Sequence, residues 1–111
     1  MAFKLNGRIW IEGEDRFIGI GKLHLLEQIE RTGSISASAK ALGMSYKRAW
    51  DLIQSVNKQA PNPLVSTQAG GERGGGAVLT EEGKRWVGIY QNIQERFQEF
   101  LNLESEKLAS F

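Results

Sequence analysis

Two glycines, Gly33 and Gly43, punctuate a stretch from Thr32 to Trp50, and the residues between them are mostly small. Gly33 closes a helical apolar stripe made by Leu23, Leu25, Leu26 and Ile29 and supplies a stop at which the backbone takes positive φ. Ser34 or Ser36 then caps a short second helix that runs through Ala41-Leu42 and ends at Gly43. Ser45 caps a third, with Ala49, Ile53, Val56 and Ala60 on its inner face, until Pro61-Asn62-Pro63 ends it.

The segments on either side complete an architecture. Upstream, Arg8-Ile9-Trp10-Ile11 and Arg16-Phe17-Ile18-Gly19-Ile20 read as two strands around the acidic turn Glu12-Gly13-Glu14-Asp15, so residues 3–20 are expected to form a hairpin, with the first helix starting at Lys22. Downstream, Leu64-Val65-Ser66-Thr67 and Ala77-Val78-Leu79 read as short strands around the glycine-rich loop of residues 70–76, and Thr80 caps a final helix with Glu81 and Glu82 in its first turn. Three helices followed by strand, glycine loop and strand are the order of a winged helix-turn-helix. The fold class is mainly α with small β: one domain over residues 1–111, with a helix-turn-helix at about 34–60, a wing at about 64–79 and a long C-terminal helix at about 81–109.

Composition narrows the function classes. The 111 residues contain no cysteine, which excludes disulfides, thiolate metal sites and cysteine nucleophiles. His24 is the sole histidine and lacks partners for a triad or a metal site, and Glu12, Glu14 and Asp15 read as a solvated turn. No catalytic constellation, metal site or cofactor is implied. The glycine loop lacks GxxxxGK[ST], so it is no nucleotide cradle. The opening residues lack a signal-peptide apolar region and no apolar run approaches a bilayer span, so a cytoplasmic protein is expected.

Net charge is only +1, yet residues 40–58 hold Lys40, Lys47, Arg48 and Lys58 against Asp51 alone. Lys47 and Arg48 lie in a helix's first turn, where the macrodipole disfavours cations by about 0.3–1 kcal/mol each and a phosphate offsets the cost. Ser45, Tyr46, Lys47 and Arg48 are therefore candidates to meet groove edges or phosphates of duplex DNA, with Gln54 and Lys58 further along the same helix and Arg73 at the wing tip. Trp50, between the inner and outer faces of the wheel, is expected to pack within the domain.

In the final helix Trp86, Tyr90, Ile93, Phe97 and Phe100 recur at heptad-like spacing, continuing to Leu101 and weakly to Leu108. The seam packs onto its own domain near Trp86, but a small domain cannot cover a helix of ~43 Å along its entire length, so the excess is expected to meet a second copy of the chain.

The stretch from Thr32 to Trp50, with its SYKxAW run, together with the glycine-rich loop, Ala77-Val78-Leu79-Thr80 and Gly83, resembles the N-terminal DNA-binding domain of ModE-type molybdate-responsive transcriptional regulators. It is more distantly similar to the LysR-type helix-turn-helix. The resemblance spans roughly residues 5–100 and implies a winged helix, a dimer through the first and last helices, and a palindromic operator read by the third helix. Ser38 stands where that family usually has alanine, and Glu72-Arg73 replaces what is more often a basic residue and glycine. The family's oxyanion-binding domains lie outside these 111 residues, so no molybdate binding is expected of them.

Two functions fit: a homodimeric regulator that binds double-stranded DNA at a specific site, and a winged helix that serves only as a protein-interaction module. Salt dependence separates them, because neutralising phosphates releases counterions and an apolar docking surface does not.

Overall fold

The computed structural model describes residues 3–68 and 76–111. Strands β1 (Ile11–Glu12) and β2 (Arg16–Ile18) are followed by helices α1 (Ile20–Thr32), α2 (Ile35–Ala41) and α3 (Tyr46–Gln59). Strands β3 (Val65–Gln68) and β4 (Gly76–Leu79) form the wing, and α4 (Glu81–Leu108) completes the winged helix-turn-helix. Each strand pair is antiparallel.

The helix boundaries follow from local chemistry. Gly33 at φ 68° and Gly43 at φ 67° hold left-handed conformations that a side chain would strain. The hydroxyls of Ser34, Ser45 and Thr80 accept hydrogen bonds from the amides of Ala37, Arg48 and Gly83, capping α2, α3 and α4. One core joins the parts: Leu25, Leu26 and Ile29 of α1, Ala49, Ile53 and Val56 of α3, Leu64 and Val65 before and in the wing, and Val87 and Tyr90 of α4. The wing is tied down twice. Ala77 donates its amide to the Gly33 carbonyl (3.0 Å), and the Asn57 side chain accepts from the amides of Leu64 (2.9 Å) and Val65 (3.1 Å) while donating to the Val65 carbonyl (2.9 Å). Gly83 sits where α4 crosses the Leu64 carbonyl, which a Cβ there would overlap.

The N-terminal region departs from the expected hairpin. Its pairing is confined to Ile11↔Ile18 and Glu12↔Arg16, and α1 begins at Ile20 because Gly19 is an extended cap whose carbonyl accepts from Leu23. Residues 3–10 run instead along α4. The Leu5 amide donates to Ser105 Oγ (2.8 Å), and Tyr90 Oη donates to the Ile9 carbonyl (2.8 Å), so that backbone group is satisfied by a helix rather than by a neighbouring strand.

That course corrects the reading of the α4 seam. Tyr90 is 0% exposed and belongs to its own chain's core. Trp86 is half-buried, its ring edge-on to Phe17 with centroids 5.0 Å apart. Ile93 is half-buried, as is Phe97, whose ring lies beside Gly7. Residues 3–10 thus lie on part of the face that was expected to await a partner. Phe100, 52% exposed, remains open, and so does Leu103 at 59%.

Candidate nucleic-acid interface

Besides its buried face, helix α3 presents three stripes, each fixed by helical spacing and by what lies beside it. Ala49, Ile53 and Val56 are buried and anchor the helix. The stripe most directly opposite carries Lys47, Asp51, Gln54 and Lys58, all exposed. Tyr46, Trp50 and Asn57 lie on the wing side, where Asn57 grips β3 and the rings of Tyr46 and Trp50 stack at 6.4 Å with 17° between planes. Trp50, expected to pack within the domain, is instead 37% exposed and stacks on Tyr46, which is exposed as well.

The third stripe, Arg48, Ser55 and Gln59, faces the N-terminal hairpin. Gln59 donates to the Arg16 carbonyl (3.2 Å) and to Ser55 Oγ (3.2 Å), while Lys22 Nζ donates to the same Arg16 carbonyl (2.7 Å) and to Ser55 Oγ (3.3 Å). Above these bonds lies a cleft of about 260 Å³ lined by the cations Arg8, Arg16, Lys22 and Arg48, together with Trp10 and Met44 among its walls. The Arg16 guanidinium lies 3.7 Å from the centre of the Trp10 ring. Burial, and then the neighbouring Arg16 charge, push the Lys22 ammonium below the ordinary lysine value, against a smaller opposing pull from Asp15.

The candidate residues are thus distributed unevenly. Ser45, exposed, accepts from the Arg48 amide (3.1 Å), and that bond leaves its hydroxyl hydrogen uncommitted. Lys47 pairs with Asp51 at 3.1 Å, an exposed i,i+4 contact that costs little to exchange for another anion. Tyr46, Gln54 and Lys58 are exposed on α3, and Arg48 turns to the hairpin side. Arg73 lies outside the described residues. Sequence reasoning missed Arg8, Arg16 and Lys22 because it summed charge over a contiguous window, and the alternation of Arg8, Trp10 and Arg16 around the acidic turn was the available signal.

Among the described residues no helix is long and apolar enough to cross a membrane, and no group of three metal-ligating side chains occurs.

Comparison with known proteins agrees with this geometry. Residues 20–84 match the bacterial regulatory helix-turn-helix proteins of the lysR family, a span from the first residue of α1 through the first turn of α4. The chain is 47% identical over 87 residues to the molybdenum transport protein ModE of Azotobacter vinelandii, covering 78% of this chain and 32% of that protein. It is 42% identical over 94 residues to the molybdenum-pterin-binding protein MopB of Rhodobacter capsulatus, covering 78% and 35%. It is also 40% identical over 85 residues to the DNA-binding transcriptional dual regulator ModE of Escherichia coli K12, covering 77% and 32%. The chain therefore spans about a third of the length of the curated relatives it matches.

Proposed function

Because the chain belongs to the bacterial regulatory helix-turn-helix proteins of the lysR family, we propose that it is a transcriptional regulator that binds double-stranded DNA at a specific site, acting in the cytoplasm as a homodimer. The observation that carries this reading is the outward stripe of α3. It is polar, it lies on a helix capped by Ser45, no element covers it among the described residues, and it is held between the wing on one side and the hairpin on the other. A helix of about 10–12 Å diameter fits a major groove about 12 Å wide, so this stripe is the part that reaches base edges. Tyr46, Lys47 and Gln54 serve as base-edge and sugar-phosphate contacts, Lys58 as a contact at the far end, and Arg73 as the wing's contact.

Pairing of two chains is supported by Phe100 and Leu103, which are exposed on the 28-residue α4 on either side of the buried Leu101. Two copies related by a twofold axis present two α3 helices to a palindromic site. No catalytic role and no cofactor enter this reading. Molybdate binding is not assigned to these residues, and calorimetry with molybdate tests that: stoichiometric heat at micromolar affinity, on the order of −8 kcal/mol, refutes it.

The direct experiment incubates the purified chain with fragmented genomic DNA, recovers and sequences what is bound, and then measures affinity for one recovered fragment as salt is varied. A recurrent sequence and a steep log–log decline with salt are expected. Salt-independent, sequence-indifferent retention refutes DNA reading and leaves a protein-interaction module.

A further inference from the structure

We infer that the cleft formed by Arg8, Arg16, Lys22 and Arg48 is a seat for a phosphodiester of the DNA backbone, so that the N-terminal hairpin clamps one strand of the duplex on the side of α3 opposite the wing. This rests on the DNA-binding reading above and adds to it a contact carried by residues outside the helix-turn-helix.

Four cations from three separate stretches of chain converge on one cleft: Arg8 and Arg16 from the hairpin region, Lys22 from α1 and Arg48 from α3. None of the four is ion-paired within 4.0 Å among the described residues, where the ion pairs are Lys47–Asp51, Lys84–Glu81, Arg85–Glu82 and Lys107–Glu104. The carboxylates nearby do not fill the role. Glu12 accepts from Trp10 Nε1 (3.1 Å), and Asp15 acts on Lys22 less strongly than Arg16 does, leaving the cleft short of negative charge. Like charges held together without a counterion repel, and a bound anion removes that cost.

The chemistry of the cations selects the anion. Guanidinium groups present paired donors that match the oxygens of a phosphate, and the Arg16 group is already oriented by its stacking on Trp10. The position selects the source. Arg48 follows Lys47 of the outward stripe directly, and the cleft opens on the flank of α3. A helix that fills the major groove has a row of phosphates along each flank. On one flank the structure places the wing, and on the other the cationic cleft.

The test uses a short mixed-sequence duplex, one recovered genomic fragment and the whole chain with single substitutions. The wild type is expected to show steep salt dependence. Arg8→Gln and Arg16→Gln are each expected to weaken binding to both duplexes by the same factor and to make the log–log salt slope shallower by about one unit, with Arg8→Lys restoring the slope. Lys107→Gln, on the far end of α4, is expected to leave both quantities unchanged. Wild-type slopes in both arginine variants, against a steep wild type, overturn the clamp and leave the DNA-binding reading standing. A wild type with no salt-dependent DNA affinity overturns both. A free anion is distinguished by inorganic phosphate added at constant ionic strength. Stoichiometric calorimetric binding of phosphate that Arg8→Gln abolishes, with displacement of the duplex, assigns the seat to a free oxyanion and overturns the backbone assignment.

Discussion

Replacing Asn57 with alanine tests how the wing is held to the recognition helix. Three hydrogen bonds converge on this one side chain: its oxygen accepts from the amides of Leu64 and Val65, and its nitrogen donates to the Val65 carbonyl, all at 2.9–3.1 Å. The backbone groups that it serves belong to residues that are buried, with Leu64 fully so, and water cannot readily replace the lost partners. Each net hydrogen bond contributes about 0.5–1.5 kcal/mol, and a buried group left unsatisfied costs about 1–3 kcal/mol, so Asn57→Ala is expected to lose about 2–4 kcal/mol. In a domain of this size that is a fall in Tm on the order of 10 °C. Urea denaturation gives the free energy, and amide hydrogen exchange locates it. The Leu64 amide, which lies outside the β3–β4 ladder and bonds Asn57 alone, should lose protection beyond the global change, and the Ala49 amide within α3 should not. A variant within about 0.5 kcal/mol of the wild type, or a Leu64 amide that keeps its relative protection, refutes the assignment of the wing's anchorage to this residue.

Gly83→Ala is expected to destabilise by several kcal/mol, because the new methyl overlaps the Leu64 backbone and neither α4 nor β3 has a flexible end there to move; thermal unfolding checks it, and a loss below about 1 kcal/mol contradicts the close crossing. Asp51→Ala frees Lys47 and removes a negative charge from the outward stripe, so DNA affinity at low salt should rise on every sequence; unchanged or weaker binding argues against that stripe as the DNA face. Phe100→Asp combined with Leu103→Asp should dissociate a dimer without unfolding the chain, because both side chains are more than half exposed, and sedimentation velocity reads the result; a dimer unaffected by the pair places the interface elsewhere. Tyr90→Phe should cost about 1 kcal/mol and loosen residues 3–10, since the phenol bonds the Ile9 carbonyl and Gln94; hydrogen exchange in the N-terminal segment checks it.

The helix-turn-helix was legible because its boundaries are local events. A capping hydroxyl acts on an amide three residues away, and a left-handed glycine acts on its own turn, so Ser34, Gly33, Ser45 and Gly43 mark α1, α2 and α3 within a residue or two. The departure at Ser38 also has a local partner: the hydroxyl is buried and shares a 2.9 Å hydrogen bond with Thr32 Oγ1, a residue that stands at the end of α1. The N-terminal segment was not legible in the same way. Its conformation is decided by Ser105, a hundred positions along the chain, and by Tyr90, eighty-one positions along. The alternation of Arg8 to Ile11 is compatible with a strand, and α4 outbids the strand partner for the Ile9 carbonyl.

The same distance in sequence explains what was and was not visible at the interface. Periodicity identifies which face of α4 is apolar but carries no information about what lies on it, and so Tyr90 and Phe97 passed for a surface that awaited a partner while residues 3–10 already lay along it. Charge behaves likewise. A window of residues 40–58 finds Lys47 and Arg48, yet the side chains that share a cleft with Arg48 come from positions 8, 16 and 22, where each is a single cation in an unremarkable context. The hairpin brings them together through the hydrogen bonds of Gln59 and Lys22 to the Arg16 carbonyl, which fix β2 against α3. A short two-strand hairpin with no ladder beyond two residue pairs is marginal by itself, so its order depends on the burial of Phe17 and Ile18 in the core and on that attachment. Gln59→Ala removes one of the two side-chain bonds to the Arg16 carbonyl without removing a cation, which separates the effect of charge arrangement from the effect of charge number: it should weaken DNA binding and make its salt dependence shallower although the net charge is unchanged, and an unaltered slope would mean that this bond does not set the placement of the cations that meet the duplex.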